Sequence, residues 1–222
     1  MRIFLILLLF LQSTTYTHDE LMGKIDPATH PDFIEISKEH ASREGMFLRT
    51  EAYEAFCEMY TAASEAGHHL QIISATRSFA HQKRIWDGKW ERTKYMGWPD
   101  GEKAVDIMLY SSMPGTSRHH WGTDMDLNAL ENSYFESGKG LALYTWLQQH
   151  ADEYGYRQVY TSKENGRTGY EEEKWHWSYM PLATPMLEQY LREITYDDLN
   201  GFQGAGTSEE LEVITKFVRG IE

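Results

Sequence analysis

Apolar positions along the chain fall into two periods. Ala52, Phe56, Met59, Tyr60 and Ala63 follow helical spacing behind Thr50, and Gly67 closes the run, which predicts a helix capped by Thr50. The stretch L-Q-I-I-S-A, residues 70–75, reads instead as a buried strand. It leads into Thr76-Arg77-Ser78, where Ser78 is placed to cap a second helix reaching about Trp90. Glycine and proline punctuate 95–116, so that region is expected to be mostly loop with a short helical piece over 103–110. An amphipathic helix is predicted over 141–154 and closed by Gly155, followed by strands at 156–160 and 174–180 and a helix over 184–194. Asp26-Pro27 and His30-Pro31 mark turns in an irregular segment, 18–49. Near the C-terminus Thr207 and Glu210 have capping-box spacing ahead of a last helix. Helices and strands in mixed order, without regular βαβ alternation, favour a single α+β domain.

The first residues break this pattern. Arg2 precedes an unbroken apolar run, 3–11, and a polar stretch, 12–17. That is the arrangement of a secretory signal whose apolar part is too short to span a bilayer. Residues 1–17 are therefore expected to direct export to the periplasm or cell surface, with no stable membrane insertion after their removal. Composition narrows the partners: a net charge of −13 is a poor match to nucleic acid or an anionic membrane. The single cysteine, Cys57, excludes an intrachain disulfide. It sits in the first predicted helix with no basic or histidine-rich neighbours in sequence, and reads as a structural thiol.

Ten histidines raise the question of a metal. His18, His30, His40, His68, His69, His81 and His150 have no partner at ligand spacing and are assigned surface or core roles. Two places remain: S-R-H-H-W-G-T-D-M-D-L-N, 117–128, and K-W-H-W, 174–177. A catalytic zinc wants three protein ligands from imidazole and carboxylate, with a fourth position left open. Strand parity puts Asp124 and Asp126 on one face and His119 and His120 on opposite faces. His119 and Asp126 would lie ~23 Å apart on a straight strand, so they meet only if the chain turns, and Trp121-Gly122 is the place to do so. Four histidine–aspartate pairings stay open on these grounds. Glu173, three residues before His176, likewise shares its side only if the backbone bends or Glu173 belongs to the preceding loop, with Trp175 and Trp177 then packing on the other face.

These segments carry a family resemblance. P-G-T-S-R-H-H-W-G-T-D-M-D (114–126) resembles the S-x-H-x-x-G-x-A-x-D motif of the VanY-type D-alanyl-D-alanine carboxypeptidases. G-Y-E-E-E-K-W-H-W-S-Y (169–179) resembles that family's E-x-W-H-W motif, and S-A-T-R-S-F-A-H-Q (74–82) its S-G-Y-R-S…Q segment. The three motifs keep the family's order across about 20–182, and jointly they are specific.

The resemblance implies a hedgehog-like, D-Ala-D-Ala peptidase-like fold: a small, mainly antiparallel sheet with flanking helices and a site in a groove over it. Beside the signal (1–17), the expected peptidase domain is 18–194, and 195–222, which fall outside the resemblance, are read as a C-terminal helical appendage. The resemblance makes His119, Asp126 and His176 the ligands of one Zn2+ per chain, and Glu173 the general base acting on zinc-activated water. Arg77 becomes the oxyanion stabiliser, and Ser78, Gln82 and Ser117 stand near the substrate. The implied activity is zinc-dependent removal of D-alanine from peptidoglycan stem peptides. An L,D-carboxypeptidase or endopeptidase on the same scaffold, or a non-catalytic zinc- or peptide-binding module, are the alternatives. Two departures stand out. Asp124 replaces the family's usual alanine, and either hydrogen-bonds a ligand histidine, crowds the site or meets solvent. Ala75 and Thr76 replace the usual Gly-Tyr before Arg77.

Overall fold

A computed structural model of the chain describes residues 15–221, so the apolar run at 3–11 lies outside the described residues. Its frame is a four-stranded antiparallel sheet in the order β3-β4-β6-β5, built from β3 (Ile72–Ser74), β4 (Asp124–Leu127), β5 (Tyr156–Gln158) and β6 (His176–Tyr179). A separate hairpin pairs β1 (Phe33–Glu35) with β2 (Phe47–Arg49). Among the described residues six α-helices surround these strands: α1 (His18–Met22), α2 (Thr50–Glu65), α3 (Phe79–Trp90), α4 (Asp100–Ile107), α5 (Gly138–His150) and α6 (Met180–Glu193).

Strand alternation divides the sheet into an apolar and a polar face. Met125 and Leu127 of β4 and Trp177 and Tyr179 of β6 join Phe56 and Met59 of α2 and Leu143 and Leu147 of α5 in one buried cluster. Asp124 and Asp126 of β4, and His176 and Ser178 of β6, point the other way and are buried as well. Their cover is a second apolar cluster, drawn from Leu21 and Met22 of α1, Trp86 of α3, Met108, Trp121, and Met186 and Tyr190 of α6. Leu199, Phe202, Val213 and Val218 complete that cluster, so the C-terminal segment is packed into the fold.

Several boundaries depart from expectation. Segment 18–49 contains α1 and the hairpin; α1 is closed by a Thr17–Glu20 capping box and ends at Gly23 in the left-handed region. Thr50 does not cap α2: its hydroxyl donates to the Asp32 carbonyl, and Arg49 holds the cap position without a side-chain bond. Ser78 does cap α3, accepting from the His81 amide. The helix in the glycine-rich region starts at Asp100, behind Pro99. α6 starts at Met180 because Pro181 sits in its first turn, where a missing N–H costs nothing. The expected last helix is a set of short turns ending in a π-type turn, Ile214–Val218. Thr207 spends its hydroxyl on the Gly204 carbonyl and caps nothing.

Glu20 ties α1 to the hairpin. It is buried, and accepts from Arg49 Nη2 at 2.7 Å and from the Thr17 amide at 2.8 Å. Burial alone would raise its carboxyl, but these contacts outweigh burial and hold it below the ordinary 4.5. An acid with a depressed folded pKa contributes stability above its unfolded pKa and loses it as pH falls through the folded one. Glu20→Gln is therefore expected to flatten the acid side of the stability profile below pH 4.5, read by denaturant melts at several pH values. An unchanged acid limb would remove Glu20 as a contributor.

Candidate active site

Directly across the β4–β6 ladder Asp126 faces His176, and Asp124 faces Ser178. Ser74 of β3 faces Asp126 from the other side. His119 reaches this row from a tight 3-10 turn, Arg118–Trp121, and the chain reverses at Gly122, whose φ is 73°. The turn expected at Trp121-Gly122 is thus present. It brings ligand atoms of His119, Asp126 and His176 within 4.8 Å of one another, all three residues buried.

The hydrogen bonds around the two imidazoles leave one nitrogen of each facing Asp126. His119 Nδ1 lies 2.8 Å from the Ala75 carbonyl and donates to it, so Nε2 carries the lone pair. That Nε2 is buried without a hydrogen-bond partner, 3.4 Å from an Asp126 oxygen. His176 Nε2 lies 2.8 Å from Asp124 Oδ2, and its Nδ1 lies 3.1 Å from Asp126 Oδ1. Burial would lower His176, but hydrogen bonds and charge from the two aspartates raise it to about 9. Burial and the Arg77 charge lower His119.

Asp124 takes the hydrogen-bonding role among its three possibilities. It is wholly buried and accepts from His176, from Arg118 Nε at 3.0 Å, from Thr123 Oγ1 at 2.6 Å and from Ser178 Oγ at 2.8 Å. Burial opposes its ionisation, yet Arg118 and His176 hold it well below the usual carboxylate range. Arg118 was not legible as a site residue; its guanidinium stacks 4.8 Å from the Trp121 ring and donates to Ser178 at 2.6 Å. His120 points away from the cluster. Its Nδ1 lies 2.6 Å from the Arg77 carbonyl and its Nε2 accepts from the Gly115 amide at 3.0 Å, which pins the backbone carrying Arg77.

Glu173 belongs to the loop before β6, one of the two conditions for its meeting His176. The His176 amide donates to the Glu173 carbonyl at 3.2 Å, and the bend leaves the carboxylate 3.7 Å from His176 Nδ1. Burial raises Glu173 to about 7, with His176, Arg77 and Lys89 pulling it down and Asp126 pushing it up. Trp177 packs in the core as expected; Trp175 packs there too and also reaches the cavity wall.

His119, Asp126, Glu173 and His176 open onto a cavity of about 510 Å³ whose wall includes Arg77, Lys89 and Tyr170. Arg77 Nε is buried without a partner. Ser78, Gln82 and Ser117, expected near the substrate, do not line this cavity: Ser78 caps α3, Gln82 donates to the Ser112 carbonyl at 2.7 Å, and the buried Ser117 hydroxyl is unpaired. A second cluster, Glu20, His30 and Asp32, is bridged by Arg49, which donates to both carboxylates. Cys57 lies 3.9 Å from His40, away from the cavity, and burial pushes its thiol up.

Residues 45–182 match the VanY family of D-alanyl-D-alanine carboxypeptidases. The chain belongs to this family. The putative carboxypeptidase YodJ of Bacillus subtilis (strain 168) is 30% identical over 164 residues, covering 72% of this chain and 56% of that protein. The chain spans about half the length of the curated relatives it matches. A solved variant of the vancomycin-resistance D,D-pentapeptidase VanY in complex with Zn(II) superposes with a TM-score of 0.55 at 23% identity, covering 75% of this chain and 93% of that one. The LdcB LD-carboxypeptidase superposes with a TM-score of 0.56 at 23% identity, covering 78% and 81%. These likenesses show the fold. The VanY match begins after α1 and ends inside α6, so it leaves out much of the second apolar cluster. No helix among the described residues is long and apolar enough to cross a membrane.

Proposed function

We propose that this chain is an exported, zinc-dependent carboxypeptidase removing D-alanine from peptidoglycan stem peptides. The convergence of His119, Asp126 and His176 in the floor of a cavity walled by Glu173 and Arg77 carries this reading. Two imidazole nitrogens and one carboxylate suit zinc, and the unpartnered, buried Nε2 of His119 is an acceptor left for a cation. His119 Nε2, an Asp126 oxygen and His176 Nδ1 would hold the ion, with Asp124 orienting His176 through Nε2. When bound, zinc lowers the pKa of water and polarises a carbonyl.

The chain's own groups do the rest. Glu173, buried and 3.7 Å from His176, takes a proton from water and returns it to the leaving amine. Arg77 directs a guanidinium at the oxygen that gains charge. Lys89 adds a second cation to the wall and forms no ion pair among the described residues, so this end of the cavity suits a free terminal carboxylate. That favours a carboxypeptidase over an endopeptidase. The likeness to LdcB supports a second reading, cleavage of an L,D bond by the same groups.

Incubating the zinc-loaded protein with muropeptides ending in D-Ala-D-Ala, beside tetrapeptides ending in one D-Ala, separates the readings by the mass of what is released. D-alanine is expected from the pentapeptide. Release from the tetrapeptide alone would assign the L,D activity, and internal cleavage an endopeptidase. Bound zinc with no release from any peptide would leave a binding module, and absence of zinc under non-chelating conditions would sink the reading at its base.

A further inference from the structure

The chemistry above leaves Tyr170 without a task. It lines the same cavity, only 2% of it is exposed, and its hydroxyl has no hydrogen-bond partner. A buried hydroxyl without a partner is destabilising, and one that lines a cavity can be completed by what enters it. The Ser112 and Thr116 hydroxyls are its neighbours without closing to hydrogen-bonding geometry, and Thr116 already donates to the Met113 carbonyl at 2.9 Å. Burial pushes the phenol up to about 12, so at neutral pH it is a donor. Arg77 is close enough for its charge to be felt there.

The ring is held from two sides. Tyr160 meets it edge-on at 5.0 Å and Phe217 at 5.1 Å, while Tyr160 also rests 4.5 Å from the His176 ring. Its loop is clamped by the C-terminal segment: Thr168 Oγ1 donates to the Lys216 carbonyl at 2.8 Å, and a side chain at Gly169 would run into that same carbonyl. Arg167 donates to the carbonyls of Thr161 and Tyr170 at 2.6 and 2.8 Å. Lys216 and Phe217, which lie outside the region matched to the VanY family, thus join Tyr160 and Arg167 inside it in holding this cavity-lining ring and its unpaired hydroxyl.

We propose that Tyr170 is a substrate-binding residue whose hydroxyl donates a hydrogen bond to a carbonyl or carboxylate oxygen of the peptide beside Arg77, and that Phe217 positions it. The assignment rests on the peptidase reading above. Tyr170→Phe removes only the hydroxyl. In zinc-loaded protein, kcat/KM on the cleaved muropeptide is expected to fall about 10- to 100-fold, with Tm equal to or above that of the wild type. A change confined to KM assigns the contact to a carboxylate held in the ground state, and a change in kcat to the scissile carbonyl. An unchanged kcat/KM in an enzyme that does cleave overturns the role of Tyr170 and leaves the peptidase reading standing. A lower Tm with lost zinc makes the tyrosine structural and also overturns it. No cleavage by the wild type fails the peptidase reading, and this assignment with it. Phe217→Leu is expected to lower kcat/KM in the wild type and to add nothing in Tyr170→Phe; equal losses in both backgrounds overturn its positioning role.

Discussion

Glu173→Gln is expected to lower the rate of peptide hydrolysis by about 10²- to 10⁴-fold while the protein keeps its zinc. The substitution is conservative in shape, and the backbone of Glu173 is secured independently of its side chain. Its amide donates to the Tyr160 carbonyl at 2.9 Å, and its carbonyl accepts from His176 and from Gln158 Nε2. What is lost is the ability to accept a proton. Because the base acts when ionised, the wild-type rate should fall as pH drops through the pKa of Glu173, which burial sets near 7. A divalent cation among the three neighbouring ligands moves that limb to lower pH, since a positive charge favours the carboxylate. Steady-state rates beside metal analysis make the check. A variant with zinc and activity within tenfold of the wild type would show that another group takes the proton.

Asp124→Ala acts through two separate losses. Arg118 is 1% exposed and depends on Asp124 for its counter-charge, so removing the carboxylate strands a buried guanidinium. Breaking such a pair costs about 3–5 kcal/mol, a large part of a typical domain's stability. His176 also loses the partner that fixes its ring, and outer partners of this kind are worth about 10- to 100-fold in metal affinity. Denaturant melts of the metal-free protein measure the first loss, and competition with a chromophoric chelator measures the second. Asp124→Asn keeps the shape and an acceptor oxygen, and should fall between. Wild-type stability in Asp124→Ala would mean that Arg118 finds compensation elsewhere. Unchanged zinc affinity would mean that the ladder alone orients His176.

The cluster of His119, Asp126 and His176 was legible in the sequence only up to a point. Alternation along β4 put Asp124 and Asp126 on one face, and the structure keeps them there; it said nothing of which one faces His176. That is a matter of register between strands about fifty positions apart, which local spacing does not encode. The Trp121-Gly122 turn was readable because glycine allows the left-handed backbone found there. Arg118 was hidden for the opposite reason. An arginine beside a motif reads as solvent-exposed, and only tertiary packing shows that it neutralises Asp124. The start of α1 was present in T-H-D-E as capping-box spacing, next to turn signals that suggested irregular chain. The same spacing at Thr207 made no cap, because its hydroxyl found a carbonyl within its own turn.

The pairing of Asp126 with His176 has a consequence for how the protein acquires its site. The three candidate ligands come from the turn just before β4 and from two strands about fifty positions apart in the chain. They converge only once β3, β4 and β6 have aligned, and β5 adds at the far edge. Such non-local contacts form late, because loop closure must precede them. A slip of one position between β4 and β6 would turn every ligand on the slipped strand into the apolar layer beneath. On the zinc reading proposed above, a chain with its strands out of register would have the right residues and no place to hold a metal.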